Sequence, residues 1–225
     1  MSTQIKSSKA PNLPVGPVQY AQRYQDQLLN ILRLYFNQID NITGTILGPN
    51  PNQAFNYAHV CVSDTTDQEA TANDTATLVN WNTTDSSYGW TVTAPGTLTA
   101  SYEAIYKLTY SFQFVNTDNA IHYVTVWVKI NNVAVPNSAT KFGVPARKSA
   151  TAGEEGFICA YSEITFTANA GDEVKLYWAT DKAYNTTGPI DGVYMLNEAA
   201  QTVPYAHPVI PSAVGSIVYL CRKTT

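Results

Sequence analysis

The alternation of apolar and polar residues separates one helical segment from a long β-patterned region. Residues 20–42 contain neither Gly nor Pro, and apolar side chains recur there at alternating spacings of four and three residues. This spacing forms one seam of a heptad repeat, which favours helices wrapped around one another. The repeat is short, so packing of the same stripe on the chain's own β domain is the alternative. We predict a helix over residues 20–43 that self-associates through a seam made of Leu28, Leu32, Tyr35, Ile39 and Ile42.

The segment before this helix, residues 1–19, is polar and carries a proline at every third position from Pro11 to Pro17. That pattern is typical of an extended, polyproline-like path. Such a segment has too little apolar surface to offset its chain entropy, so we expect an arm that becomes ordered only against a partner. After the helix, the Gly and Pro residues of 44–54 predict a linker.

From residue 55 to residue 225 the pattern is that of β-strands, beginning with a short apolar run at 55–62. In Tyr102–Val115 aromatic and aliphatic residues occupy the even positions, and in Ile121–Ile130 aliphatic residues again share one face. Asn131-Asn132 follows as a two-residue hairpin signal. We predict about eight strands in an antiparallel β-sandwich, with loops at 63–77 and 141–156. The other predicted strands are 76–81, 88–93, 157–168, 173–180, 193–196 and 217–221.

Composition narrows the functional classes. Charged residues make up 13% of the chain and the formal net charge is −4, whereas nucleic-acid binding needs a basic stripe for the phosphates. No apolar run approaches the length of a membrane span, and the first residues lack the apolar core of a secretion signal. We therefore expect neither nucleic-acid binding nor membrane insertion. Cys61, Cys159 and Cys221 are odd in number and lie in strand-like apolar runs, so we predict free, buried thiols.

The sequence offers little for catalysis or metal binding. It contains no nucleophile elbow, phosphate-binding loop or zinc-binding HExxH motif, and we predict a protein that is not an enzyme and uses no cofactor. A polysaccharide depolymerase, the enzyme class that remains as an alternative, would need a carboxylate pair in a cleft. The three isolated histidines are interpreted as ordinary surface or core residues: His59, His122 and His207. One acidic loop could supply oxygen ligands to calcium, although its spacing favours a solvated loop; its acidic residues are Asp64, Asp67, Glu69 and Asp74.

Tyrosine is unusually common, with 15 residues against 7 phenylalanines, and it suits half-buried strand faces and wet interfaces. Four aromatic residues of the β region could line one shared face: Tyr123, Trp127, Tyr161 and Tyr177. Such a face would form a trimer contact or a platform for glycans, because aromatic planes stack on sugar rings. The alternative is ordinary packing within the sandwich.

Residues 58–223 resemble the C1q/TNF-like jelly roll. The matching features are the aromatic strand YKLTYSFQF, the hairpin VTVWVKINNVAVPNS, the run EITFTANAGDEVKLYW with its Ala170-Gly171-Asp172 turn, and the closing IPSAVGSIVYL. The resemblance implies a compact jelly-roll head that assembles as a homotrimer. The expected fold is therefore mainly β, with an extended arm and one helix before a trimeric antiparallel jelly-roll sandwich at 55–225.

Residues 13–41, LPVGPVQYAQRYQDQLLNILRLYFNQIDN, resemble an N-terminal module of structural proteins of tailed bacteriophages. The resemblance includes the run LRLYFNQ at 32–38 and implies attachment to the virion, with the β head displayed outward. The residues that it assigns to attachment are Leu13, Pro14, Pro17, Tyr20 and Tyr24.

These patterns and resemblances lead to one functional hypothesis and one alternative. The hypothesis is a non-enzymatic virion structural protein, assembled in the bacterial host cytoplasm. It would be a homotrimeric capsid decoration protein or short head fibre whose arm and helix bind a phage coat protein or another virion protein. The alternative is a receptor-binding tail or fibre module whose head recognises host surface glycans.

Overall fold

The computed structural model of the chain describes residues 11–13, 15, 18–19, 21–47, 57–149, 154–185 and 191–223. The chain divides into two compact units, Met1–Asn56 and Tyr57–Thr225. Among the described residues, the first unit holds one α-helix and the second holds the strands. Three of the predicted attachment residues, Pro14, Pro17 and Tyr20, lie outside the described residues, as does the linker beyond Leu47.

Helix α1 spans Gln22–Leu47 and is longer than the sequence predicted. It continues through Gly44, which the sequence analysis assigned to the linker. A glycine inside a helix costs only about 1 kcal/mol relative to alanine, and its backbone still contributes to the hydrogen-bond ladder. The described helix therefore continues past its first glycine and extends to Leu47.

The predicted seam residues of α1 recur on one face of the helix, since positions three and four apart lie above one another. All five are half-buried, and none of the side chains described between residues 22 and 43 is fully buried. Leu29, Leu34 and Phe36 lie outside the seam and are exposed. Helix α1 is thus amphipathic, and the side chains of its apolar stripe are at most half-buried.

The second unit contains two antiparallel sheets, with strands numbered in chain order. The strands of sheet A are β1 (His59–Asp64), β2 (Gln68–Glu69), β4 (Thr83–Tyr88), β7 (Ala104–Asn116), β11 (Gly156–Ala168), β13 (Val193–Met195) and β14 (Ala213–Cys221). β7 pairs with β11 along 13 residues and also with β14 and β13. β14 pairs in turn with β1, and β1 with β4. The long strand predicted at 102–115 is therefore the centre of this sheet.

The strands of sheet B are β3 (Thr77–Leu78), β5 (Trp90–Thr93), β6 (Thr97–Ala100), β8 (His122–Ile130), β9 (Val133–Ala134), β10 (Thr140–Val144) and β12 (Glu173–Thr180). β8 and β12 pair at the centre, β10 flanks β8, and β6 and β5 follow β12. The core lies between the two sheets and is formed by alternate residues of β7, β8 and β12. Its largest members include Trp178, Tyr110, Phe112, Phe114 and Leu176. The prediction of a mainly β chain with an antiparallel sandwich is confirmed.

Several short strands differ from the predicted ones. β10 lies in a region predicted as a loop, and β4 and β6 were not predicted. β4 has the sequence TTDSSY and its residues are almost all exposed, so it lacks the apolar alternation that identifies a half-buried strand. β14 begins at Ala213, four residues before the predicted start at Ile217. The acidic loop also contains the end of β1 and the two-residue strand β2.

Two turns are joined at one end of sheet B. Asn131 and Asn132 adopt positive φ values of 51° and 65°, as the hairpin prediction requires. In the turn between β11 and β12, the Asp172 carboxylate accepts hydrogen bonds from the backbone N–H of Asn169 at 2.7 Å and from the Asn131 side-chain amide at 2.8 Å. Gly171 in this turn has φ of 90°, which an L side chain rarely adopts. Asp172 therefore links its own turn to the neighbouring hairpin through hydrogen bonds.

Candidate functional site

Three of the four predicted aromatic residues lie together on the outward face of sheet B. β8 buries its valines and directs Tyr123 and Trp127 outward. Tyr177 of β12 lies directly opposite Trp127 in the strand register. The two rings are nearly parallel, with an interplanar angle of 22° and centroids 6.1 Å apart, while Tyr123 is 46% exposed. Three of the four residues predicted to share a face therefore form a surface cluster.

Two lysine ammonium groups are held over these rings. Lys129 Nζ lies 4.2 Å from the centroid of Tyr177, and Lys141 Nζ lies 4.4 Å from the centroid of Tyr123. Both distances fall within the range of a cation–π contact. We call the surface formed by these two lysines, the three aromatic residues, Thr125 and Ala179 the β8–β12 face.

Tyr161 does not belong to the β8–β12 face, contrary to the sequence prediction. It lies on β11 in sheet A and is 58% exposed. The outward faces of the two sheets of a sandwich point away from each other, so Tyr161 cannot line one surface with Tyr123 and Trp127. Period-two alternation had shown that each residue points outward, but it carries no information about which sheet a strand joins.

The outward face of sheet A has a different composition. Register places Tyr161 across from Ser111 of β7, and Ser111 across from Val214 of β14. Phe157 and Val218 are also exposed on these strands. We call this surface the β7–β11–β14 face. This face was not predicted from the sequence, although the apolar residues at outward positions of β14 were a signal.

The three cysteines are free, as predicted, but none is buried. Cys61 is half-buried, and Cys159 and Cys221 are exposed. The flanking residues Val60 and Val62 of β1 are buried, so Cys61 occupies the outward position between them. The apolar runs were correctly identified as strands, but the thiols lie at solvent-facing positions of those strands. Cys159 Sγ lies 3.1 Å from the Ser111 hydroxyl.

Two carboxylates of the acidic loop make separate structural contacts. Asp64 is buried and accepts hydrogen bonds from the Thr66 backbone N–H at 2.8 Å and the Asn82 amide at 3.3 Å. Asp67 accepts the backbone N–H of Asn197 at 2.7 Å. Within the described part of the chain, no group of three or more His, Cys, Asp or Glu side chains is arranged to hold a metal ion.

His122 has partners that the sequence did not indicate. Its Nε2 atom lies 2.8 Å from Asp118 and its Nδ1 atom 3.2 Å from Asp181. The hydrogen bond from His122 is the main cause that lowers the pKa of the Asp118 carboxyl, against a smaller opposing effect of desolvation. Asp181 also accepts the backbone N–H of Tyr123 at 3.0 Å. His122 therefore ties two loops together beside the β8–β12 face. His59 and His207 make local contacts with the carbonyls of Tyr57 and Pro208.

Of the predicted attachment residues, the structure describes Leu13 and Tyr24. Leu13 is exposed, and Tyr24 is half-buried at the start of α1, where its backbone N–H donates to the Ala21 carbonyl. Among the described helical residues, none forms a segment with the length and hydropathy needed to cross a membrane.

No protein-family model matches the chain, and no curated protein matches it either. Solved structures to which it is similar include the Eiger TNF from S. frugiperda, at 11% identity and a TM-score of 0.45. That match covers 75% of this chain and 96% of the other. A second is the globular domain of a zebrafish complement 1qA protein, at 11% identity and a TM-score of 0.42, with coverage of 74% and 99%.

Proposed function

We propose that this chain is a non-enzymatic structural protein of a tailed-phage virion, either a trimeric capsid decoration protein or a short head fibre. The arm and α1 attach it to a coat protein or another virion protein, and the β-sandwich is displayed outward. The resemblance of residues 13–41 to the N-terminal phage module supports this attachment role.

One observation carries the proposal: α1 has an apolar stripe whose described side chains are at most half-buried. The five seam positions are half-buried, and no described side chain between residues 22 and 43 is fully buried. A helix in water owes most of its stability to packing of its apolar face. The alternating spacing of four and three along the seam suits packing against copies of itself. Association of three chains also gathers three arms, so a weak arm contact gains strength through effective concentration.

The β7–β11–β14 face supports association of the heads as well. Exposed aromatic and aliphatic side chains such as Phe157, Tyr161 and Val218 favour a protein contact, because interface cores are enriched in aromatic residues and depleted in lysine. The lysine on this face, Lys107, is neutralised by Glu163 at 3.0 Å. In the described sandwich, β11 pairs with β7 along one of its two edges. The other edge of β11 is long and offers backbone groups with which another chain can pair.

Substitution in the seam tests the proposal in the full chain. Leu32→Ala or Ile39→Ala should weaken the trimer by about 2 kcal/mol or more per buried side chain, since a buried aliphatic group is replaced by a cavity. Sedimentation equilibrium at micromolar concentration measures the oligomer, and quantitative gel analysis of purified particles measures occupancy. Leu34→Ala is the matched control, because it makes the same chemical change at a position that is 55% exposed and outside the seam.

Removal of the first unit provides a second test. A chain that begins at Tyr57, the first residue of the second compact unit, should remain folded and soluble but fail to decorate particles. If the shortened chain occupied particles as well as the full chain does, attachment would have to be assigned to the β-sandwich. Equal effects of Leu32→Ala and Leu34→Ala would contradict the role of the seam.

A second candidate function is recognition of host surface glycans by the head. The observation that favours it is the β8–β12 face, where Tyr123 and the Trp127–Tyr177 pair project among polar side chains. Sugar rings have apolar C–H faces that stack on aromatic planes. Loss of glycan binding by the full chain on Trp127→Ala, with retention by Tyr161→Ala, is the result expected for this function.

A further inference from the structure

We infer that the β8–β12 face binds an acidic glycan, that is, an oligosaccharide with carboxylate or sulfate groups. The inference specifies the ligand class of the second candidate function and rests on it, but it is independent of particle attachment. Its basis is the combination of aromatic rings, a floor of small side chains and two lysines without acidic partners.

The β8–β12 face has the shape of a shallow trough. Tyr123 and Trp127 are four residues apart on β8, which corresponds to roughly 13 Å along an extended strand. Between them, the small residues Thr125 and Ala179 lie opposite each other in the register of β8 and β12. Aromatic side chains therefore stand at both ends of a low floor, and a short stretch of sugar chain can lie between them.

The lysines on this face differ from the other lysines of the head. Lys129 and Lys141 lie over aromatic rings, and no described carboxylate is within ion-pair distance of either. The remaining described lysines of the second unit are all paired with Asp or Glu: Lys107, Lys148, Lys175, Lys182 and Lys223. In a chain with a formal net charge of −4, two uncompensated ammonium groups on one face create a local preference for an anion.

The nearby carboxylates do not neutralise these two lysines. Glu173 lies 2.8 Å from Lys175 and pairs with it. The Asp181 carboxylate accepts the backbone N–H of Tyr123 at 3.0 Å and lies 3.2 Å from Nδ1 of His122. Lys129 and Lys141 therefore keep hydrogen-bond donors for a ligand, and an ammonium group bonds most strongly to an ionised oxygen.

A second copy of the chain fits this face less well than a glycan does. Lysine is depleted at the cores of protein interfaces, because burial of an unpaired ammonium group is costly. The β7–β11–β14 face has exposed aliphatic residues and a lysine that is already paired, so it suits contact between copies. The charge distribution thus assigns the two outward faces of the sandwich to different partners.

The test uses the full chain on an immobilised panel of acidic and neutral glycans. The acidic members are oligogalacturonate, alginate oligomers, chondroitin sulfate and a sialylated oligosaccharide; the neutral members are dextran oligomers and the methyl ester of the same oligogalacturonate. We expect binding to at least one acidic member, with affinity that falls as salt is raised, since exposed charges are screened. Absence of binding to every acidic member, or equal binding to a neutral one, overturns the inference. Binding to neutral members alone would leave the second candidate function standing without its charge preference.

Variants then locate the site. Lys129→Gln combined with Lys141→Gln should lower affinity about tenfold or more, because charge-assisted hydrogen bonds are lost while the fold is left intact. Trp127→Ala should abolish stacking and lower affinity as well. The affinity of the variants is measured with soluble oligosaccharides, so that a change in trimer avidity does not alter the result. Tyr161→Ala and Lys107→Gln, both on the opposite sheet, are the matched controls and should bind a soluble oligosaccharide as the unaltered chain does. If Tyr161→Ala lowered binding as much as Trp127→Ala does, the binding could not be assigned to the β8–β12 face and the inference would be overturned. A change of oligomeric state on Trp127→Ala would also overturn it, because the face would then serve contact between copies.

Discussion

Replacement of Asp172 by alanine should destabilise the β-sandwich by about 2 kcal/mol at neutral pH. Its carboxylate accepts three hydrogen bonds: from the Asn169 backbone N–H at 2.7 Å, the Asn169 side-chain amide at 3.1 Å and the Asn131 side-chain amide at 2.8 Å. Each such bond contributes about 0.5–1.5 kcal/mol net. The lower half of that range applies because the group is only half-buried. The same Asn131 accepts the backbone N–H of Glu173 at 2.9 Å, so the substitution loosens both turns.

The pH dependence of this effect has a definite sign. The backbone hydrogen bond from Asn169 is the largest cause that lowers the pKa of the Asp172 carboxyl, with the amides of Asn131 and Asn169 acting in the same direction and partial burial opposing them. The pKa in the folded chain is thus below that in the unfolded chain, which is about 3.9. The stabilisation is complete above that value and is lost as the pH falls through the folded-state pKa.

Urea denaturation followed by tryptophan fluorescence measures the effect, with both chains at one protein concentration, at pH 7 and in steps below pH 4. The difference in free energy of unfolding between the unaltered chain and Asp172→Ala should shrink with acidification. Asp85→Ala is the matched control, because Asp85 is exposed on β4; it should change stability by less than about 0.5 kcal/mol. A difference that stays constant down to the most acidic condition would refute the assigned role of the carboxylate.

Two further predictions concern a buried phenol and the thiols. The Tyr106 hydroxyl donates to the Tyr102 carbonyl at 2.8 Å, and burial raises the pKa of Tyr106 to about 12. The contribution of the protonated Tyr106 to stability should therefore be fully present below about pH 10 and be lost between about pH 10 and about 12. Tyr106→Phe should flatten this decline in a thermal-denaturation series. Alkylation of the unreduced native chain should modify the exposed Cys221 rapidly and the half-buried Cys61 more slowly. A cysteine crosslink detected by mass spectrometry would contradict the thiol prediction.

Local features of the sandwich were predictable because they depend on neighbouring residues. The alternation in Tyr102–Val115 identified the buried side of β7, since successive side chains of a strand point to opposite faces. The Asn131-Asn132 turn was predictable because asparagine tolerates positive φ. Both conclusions need only a few consecutive residues.

Features that depend on distant pairing were not predictable in the same way. Tyr161 and Tyr177 both occupy outward positions of well-patterned strands, but they belong to different sheets. Their sheet is decided by pairing of β11 with β7 and of β12 with β8, across long sequence separations. The two acidic partners of His122 likewise lie on separate loops. The sequence thus predicted that the candidate site contains aromatic residues, but it did not predict correctly which of them share one face.

The separation of the two outward faces connects oligomerisation to ligand binding. A contact between copies through the β7–β11–β14 face leaves the β8–β12 face of every copy exposed, because the two sheets face away from each other. The proposed site, a shallow trough with two ammonium groups, should bind a single glycan weakly, whereas three such sites on the proposed trimer would raise avidity by effective concentration without any new contact. Dissociation of the proposed trimer by Leu32→Ala should therefore reduce binding to a densely coated glycan surface while leaving affinity for a soluble oligosaccharide unchanged. If both measurements fell together, the seam would influence the site itself, and the independence of the two faces would have to be abandoned.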